Sequence, residues 1–181
     1  MSGGLSILQK EYNMEILRRD PCFGKIDANA VSRAFDAAWK IGSEEGGRFV
    51  AECKGNFDIC ERLQEYGVSI TTEDADCVIG NMRYYCEFIS KKKAIVVYKK
   101  SVELWAEKND VSYADTLNVI LAHEYFHYLE ETKLGWVSKK CEVPMLVFGR
   151  WKLGKTGVAA LSEIAANAFA SECYKAYILG V

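Results

Sequence analysis

The sequence has almost no imbalance of charge and no long apolar run. Its 23 lysine and arginine residues nearly cancel its 25 aspartate and glutamate residues, which gives a formal net charge of -2. No global positive field therefore exists to hold nucleic acid or an anionic membrane surface. No stretch approaches the roughly 18 apolar residues of a membrane helix, and the first residues lack the basic and apolar segments of a secretory leader. These absences predict a protein of the cytoplasm with no direct nucleic-acid or membrane partner.

The seven cysteines include no C-x-x-C pair. An odd number without a recognisable framework fits reduced thiols better than disulfides or a structural zinc knuckle. Half of the 181 residues are hydrophobic and only two are proline. Such a chain is long enough for one well-filled core and too short for two, so we expect a single domain over residues 1–181.

Apolar residues recur at helical spacing in five segments. The first begins after Asp27, a suitable N-cap, and is expected to end where Gly46 and Gly47 interrupt the pattern. A capping box at Ser112 opens the strongest of the segments. The other four segments are residues 49–66, 102–108, 113–131 and 158–179.

Three short segments are instead rich in β-branched and aromatic residues, namely residues 68–72, 83–89 and 94–98. The last two are separated by a serine and three lysines, which favours a hairpin. Residues 134–157 contain a proline and several glycines as breakers and are predicted to be loop-like. The pattern as a whole predicts an α+β fold that is mainly helical, with a small three-stranded sheet.

The helix over residues 113–131 carries the sequence His123-Glu124-Tyr125-Phe126-His127, which contains both histidines of the chain. Residues four apart leave the same face of a helix, so both imidazoles can point at one ion. Glu124 lies too far round to be an equal ligand but can reach a water on the metal, as the base of H-E-x-x-H peptidases does. A zinc ion lowers the pKa of that water from about 16 to near 7, and the carboxylate takes its proton.

A catalytic zinc usually has three protein ligands and one open position, so a third donor is required. With no third histidine, it must be an acid or a thiolate. Glu163 is the preferred candidate, because a carboxylate on the otherwise apolar face of the terminal helix needs a cation or hydrogen-bond donors. Asn167, one turn further on, could accept a hydrogen bond from the outer nitrogen of a metal-bound histidine. The alternatives for the third ligand are Glu130, Glu131 and Glu142.

The order of these elements resembles the ImmA/IrrE family of metallopeptidases. The similarity covers about residues 50–175: a helix, a small sheet with the hairpin strand 94–98, the H-E-x-x-H helix and a terminal helix with Glu-x-x-x-Asn-x-Phe-Ala. The matching residues of the terminal helix are Glu163, Asn167, Phe169 and Ala170. Phe126 departs from the pattern, since the family commonly has glycine there, but this removes no ligand.

The resemblance implies a zincin-like single domain with a two-helix zinc site, in which residues 1–49 form an N-terminal helical extension and residues 50–181 the core. It implies zinc ligands at His123, His127 and Glu163, with Glu124 as the catalytic acid/base. Such peptidases typically cut repressor proteins of phages, mobile elements or stress responses. The expected partner is therefore a protein or peptide substrate, such as a transcriptional repressor.

The sequence thus predicts a zinc-dependent endopeptidase. Two alternatives stay open: a catalytically inactive, zinc-stabilised protein-binding module, and an effector encoded by a phage or mobile element. A peptidase also needs a group that stabilises the developing oxyanion, unless the metal does so alone. The candidates for that role are Tyr128, Arg150, Tyr174 and Tyr177.

Overall fold

In the computed structural model, which describes residues 8–53, 58–80 and 82–179, the alanine-rich helix α6 (Ala159–Tyr174) lies at the centre. Twelve of its 16 residues are buried, the pattern of a helix that is covered on all sides. Helices α1 (Lys10–Arg19), α2 (Val31–Cys53) and α5 (Tyr113–Leu129) pack against it. The core of the domain is therefore built around the C-terminal helix.

Within the described residues the chain forms six α-helices and seven β-strands. The remaining helices are α3 (Ile59–Glu65) and α4 (Lys99–Asn109). The expected class, a mixed α+β single domain that is mainly helical, is confirmed. None of the helices in this part of the chain has the length and apolarity needed to cross a membrane.

Helix α2 continues through Gly46 and Gly47, so the helix end predicted there is wrong. Two glycines of α2 serve packing instead of a turn. A Cβ atom on Gly42 would overlap the backbone oxygen of Ala165 in α6, and one on Gly46 would lie 2.9 Å from the Cβ of Glu172. The missing side chains therefore let the backbones of α2 and α6 approach closely.

Helix α2 also spans residue 49, where the sequence predicts the boundary between an N-terminal extension and the core. Because α1 and α2 both pack on α6, the N-terminal helices share the core of the domain. The segment 49–66, expected to be one helix, is divided between the end of α2 and α3. Residues 54–57 lie outside the described part of the chain, as do residues 1–7, where no leader is expected.

The predicted three-stranded sheet is present and lies beside α5. Its order is β1 (Ser69–Glu73), β5 (Ala94–Tyr98) and β4 (Cys86–Ile89), with β1 parallel and β4 antiparallel to the central strand. Ile95 and Val97 of β5 are fully buried, as expected for alternate residues of a strand that covers a core. Strand β4 contacts α5, which places the sheet next to the histidine helix.

The segment 83–89, expected to be one strand, is divided into two. Its first part, β3 (Met82–Tyr84), pairs with β2 (Cys77–Ile79), and β4 begins only at Cys86. The Arg83 guanidinium binds the two carboxylate oxygens of Asp76 at 2.8 and 3.1 Å, which joins β3 to the start of β2. This ion pair, between residues seven positions apart, leaves no periodic signal in the sequence.

The prediction that residues 134–157 are loop-like is also wrong, because they contain the hairpin β6 (Glu142–Phe148) and β7 (Trp151–Gly157). Gly149 has φ 59° and opens a two-residue turn, the conformation that a tight hairpin requires at this position. Pro144 is tolerated because neither strand of an isolated hairpin is central. The glycines and the proline of this segment are therefore compatible with a hairpin, although the sequence predicts a loop.

Candidate metal centre

Helix α5 holds the two histidines one turn apart on a rigid support. Its N-terminus is capped as predicted, because Ser112 Oγ accepts a hydrogen bond of 3.1 Å from a backbone N–H of the first turn. On its core side, the fully buried Phe126 packs on Phe169 of α6 with ring centroids 5.7 Å apart. This contact docks α5 on α6, the helix that carries Glu163 and Asn167.

Three donor atoms converge between α5 and α6. The Nε2 atoms of His123 and His127 are 3.2 Å apart. Glu163 Oε2 lies 3.3 Å from His123 Nε2, and Glu163 Oε1 lies 3.5 Å from His127 Nε2. Among the described residues, this set is the one group of three metal-ligating side chains whose donor atoms all lie within 4.8 Å of one another.

The spacing of these donors fits a tetrahedral zinc site. Zinc–nitrogen and zinc–oxygen bonds of about 2.0–2.2 Å at the tetrahedral angle separate the ligand atoms by about 3.3–3.6 Å. The observed separations of 3.2, 3.3 and 3.5 Å are close to this range. The Glu163 side chain is half exposed, so the donor set is accessible from outside.

A buried chain of amides fixes the tautomer of His123. Asn13 of α1 donates from Nδ2 to the Gln9 carbonyl oxygen at 2.9 Å, an atom that can only accept. Asn13 Oδ1 consequently accepts from Asn167 Nδ2 at 2.8 Å, which leaves Asn167 Oδ1 to face His123 Nδ1 at 2.9 Å. The imidazole must therefore donate from Nδ1, which leaves Nε2 as the nitrogen that can bind a metal.

A buried carboxylate does the same for His127. Its Nδ1 lies 2.8 Å from Oε2 of Glu130, whose side chain is fully buried. Glu130 Oε1 accepts 2.7 Å hydrogen bonds from the Val137 backbone N–H and the Ser162 hydroxyl. Both imidazoles are thus held by oxygen acceptors at Nδ1, the arrangement usual for metal-ligating histidines.

Two Nε2 lone pairs and a carboxylate would repel one another unless a proton or a cation lies among them. Burial of His123 lowers its pKa, but the hydrogen bond and charge of Glu163 outweigh this and raise the pKa to about 9. The partial burial of Glu163 likewise raises its pKa, yet the His123 hydrogen bond and the charges of both imidazoles lower it to about 2. The donor set therefore favours a positive charge at its centre.

The predicted base Glu124 lies at the wall of a cavity of about 230 Å³ that His123 and Glu163 also line. Its Oε1 accepts a hydrogen bond of 3.3 Å from the thiol of Cys86 on β4. Burial raises the pKa of that thiol well above its ordinary value, and the neighbouring Glu124 carboxylate raises it further, so Cys86 stays a neutral donor. One carboxylate oxygen of Glu124 is thereby fixed and the other is left for chemistry.

The three alternatives considered for the third ligand lie elsewhere. Glu130 binds Nδ1 of His127, the ring nitrogen that does not belong to the donor set. Glu131 is exposed and accepts a hydrogen bond of 2.5 Å from Ser90. Glu142 is in the β6–β7 hairpin, where Lys155 pairs with it at 3.4 Å. None of the three belongs to the converging donor set found within the described residues.

The sequence did not indicate several residues that hold the side chains of the candidate site in place. Asn13 and Cys86 lie far from the histidines in sequence and carry no motif. The sequence suggests Glu130 only as a ligand, although its position three residues after His127 places it next to that ring on the helix. That spacing was the one available signal for its role as a hydrogen-bond acceptor.

The oxyanion candidates do not lie in the cavity beside Glu124. Tyr128 borders a separate cavity near α2, Tyr174 and Tyr177 line a third near α3, and Arg150 is in the turn of the β6–β7 hairpin. The phenol and guanidinium side chains that line the cavity of the site belong to Arg83, Tyr84 and Tyr85. No sequence motif identified these three residues.

No family model, curated protein or solved structure matches the chain.

Proposed function

We propose that the chain is a zinc-dependent endopeptidase. The observation that carries this proposal is the convergence of His123 Nε2, His127 Nε2 and a Glu163 carboxylate, with Glu124 at the same cavity. Two imidazoles and one carboxylate with an accessible side form the ligand set of many catalytic zinc sites. A purely structural zinc site commonly has four protein ligands and no adjacent base.

The residues of the chain divide the chemistry between them. A zinc ion, when bound, supplies Lewis-acid polarisation of the scissile carbonyl and lowers the pKa of a water to about 7. Glu124 Oε2, which the Cys86 thiol leaves free, takes a proton from the attacking water. The same oxygen then returns the proton to the amine nitrogen as the peptide bond breaks, so Glu124 ends in its starting ionised state.

The zincin-like fold and the resemblance to the ImmA/IrrE family belong to this proposal. They are supported by the two-helix arrangement of the donor set and by the sheet beside α5. The proposed substrate class is a regulatory, repressor-like protein, and the proposed setting is the cytoplasm. Direct binding of nucleic acid is not part of the proposal, since the net charge is only -2.

The first experiment measures metal in protein purified without added metal. We expect about one zinc per chain, retained against mild dialysis, and a strong loss in Glu163→Gln. Glu131→Gln is the matched control, because it makes the same change on an exposed residue outside the donor set. A chain that neither contains zinc nor takes it up on titration would refute the proposal, since Glu163 would then be only an ion-pair partner of the histidines.

The second experiment separates the enzyme from a protein-binding module. Glu124→Gln should keep zinc but lose cleavage, because the amide cannot accept the proton. If Glu124→Gln captures a protein from cells of the source that the wild type cuts, the chain is a peptidase. Equal capture of an intact partner by both forms would instead favour the zinc-stabilised module. A phage or mobile-element effector is a biological setting compatible with either result.

A further inference from the structure

The cavity beside His123 and Glu124 has an apolar interior. Five of the residues that line it are charged or polar, and four of these belong to the site already described. The others are the Cys86 thiol, which also belongs to that site, and apolar or aromatic side chains from α4, α5, α6 and β3, together with Tyr85 and Leu8. A mainly apolar pocket with a few polar groups at one end is typical of a binding site.

The floor of this cavity is formed by buried side chains. Val119 of α5, Ala170 of α6 and Trp105 of α4 are 5%, 1% and 9% exposed, so the core holds them in place. Val119 lies one helical turn before His123, which puts the floor directly beside a metal ligand. The small Ala170 side chain leaves the space between α5 and α6 unfilled.

The rim, by contrast, exposes apolar side chains. Met82 and Tyr84 of β3 line the cavity and are 64% and 38% exposed. Strand β3 pairs only with β2 among the described strands, so no other strand covers it. Exposed apolar residues at the mouth of an apolar pocket become buried when the pocket is filled.

The volume limits what can enter. About 230 Å³ is below the roughly 300–1,000 Å³ of pockets that enclose a whole drug-sized molecule. We propose that this cavity is a specificity pocket that receives one large apolar side chain of the substrate, next to the bond that is cut. The substrate class is thus a peptide segment with phenylalanine, leucine, methionine or a similar residue at one fixed position. This inference rests on the proposed function.

A binding experiment tests the pocket without any cleavage. N-acetyl-phenylalaninamide and N-acetyl-alaninamide are titrated into the zinc-loaded protein, and NMR shifts of the Val119 and Ile120 methyl groups are followed. We expect the phenylalanine amide to bind at least about tenfold more tightly, because filling an apolar pocket discriminates by that amount or more. Equal binding of the two amides would overturn the proposal.

Filling the cavity provides the matched variant. Ala170→Leu should reduce the preference for the phenylalanine amide several-fold, whereas Ala159→Leu, the same change at an exposed position of α6, should leave it unaltered. If Ala170→Leu does not fold, Ile120→Phe fills the cavity from a half-buried position instead. A folded filling variant with the wild-type preference would also overturn the proposal.

Cleavage of unfolded casein by the zinc-loaded protein, with cut sites determined by mass spectrometry, distinguishes the pocket from the peptidase activity. We expect large apolar residues at one position beside the cut, and smaller residues there in Ala170→Leu. Cutting without such a preference would refute the specificity pocket and support the peptidase activity. No cutting of casein, together with selective binding of the phenylalanine amide, would uphold the pocket, and the capture experiment with Glu124→Gln would then decide whether the chain is a peptidase.

Discussion

Replacing the buried carboxylate of Glu130 by an amide should weaken zinc binding by one to two orders of magnitude. Glu130 accepts hydrogen bonds from His127 Nδ1, the Val137 backbone N–H and the Ser162 hydroxyl. All three partners are donors in this arrangement, and an ionised carboxylate is an acceptor only. Glu130→Gln keeps the shape of the side chain but turns one acceptor oxygen into an NH2 donor.

Neither orientation of the new amide can satisfy all the donors. With its NH2 group towards His127, Nδ1 must become an acceptor, and the proton moves to Nε2, which can then no longer bind a metal. With its oxygen towards His127, the Val137 N–H loses its acceptor, at a cost of about 1–3 kcal/mol for a buried donor. Loss of the partner of a metal-bound histidine typically weakens metal binding about 10–100-fold. This range corresponds to about 1.4–2.7 kcal/mol.

The assay is competition for zinc against a chelator of known affinity, together with a thermal melt of the metal-free protein. Glu131→Gln is the control, because it alters the adjacent residue of the same turn on the exposed side. We expect the control to bind zinc like the wild type. Zinc affinity within twofold of wild type in Glu130→Gln, with an unchanged melting temperature, would refute the assignment of Glu130.

Three further perturbations test other parts of the structure. Burial lowers the His123 pKa, but the Glu163 hydrogen bond and charge outweigh it and raise the pKa to about 9. In thermal melts, the metal-free protein should therefore lose stability as the pH rises from about 6.5 to 9. Zinc affinity should rise over the same range, because the metal binds neutral imidazole. Cys86→Ala should slow turnover about fivefold without altering zinc affinity, because the hydrogen bond from the thiol to Glu124 is lost. Cys86→Ser should restore the rate, and a Cys86→Ala rate equal to that of the wild type would show that this hydrogen bond does not assist the base. Gly42→Ala should destabilise the protein by about 1–3 kcal/mol in urea unfolding, whereas Gly47→Ala, with open space around it, should stabilise it by about 0.5–1 kcal/mol.

The convergence of the donor atoms was predictable in part, because helical periodicity is a strong constraint. His123 and His127 had to share a face once α5 was assigned, and the capping serine fixed where that helix begins. Glu163 and Asn167 share a face of α6 in the same way, although which helix they meet depended on the fold. Local spacing therefore predicted the pair of residues on each helix, and the fold brings the two pairs together.

The errors occurred where glycine and proline were interpreted without tertiary context. The sequence predicts that a helix ends at Gly46, because glycine is a poor helix former in isolation. Its position opposite Glu172 of α6 could not be deduced from local sequence. Likewise, Gly149 and Pro144 suggested a loop, yet one opens the tight turn and the other lies in a strand of the same hairpin.

The contribution of the N-terminal helix was invisible for a related reason. Asn13 is 154 positions from Asn167, and a single asparagine has no periodic or motif signal. Its hydrogen bond nevertheless completes the chain that sets the His123 tautomer, so α1 contributes to the candidate metal centre. Leu8, just before α1, lines the cavity next to that centre. Because one short segment supports both a ligand and the pocket wall, docking of α1 should couple the affinity for zinc to the selectivity for an apolar side chain.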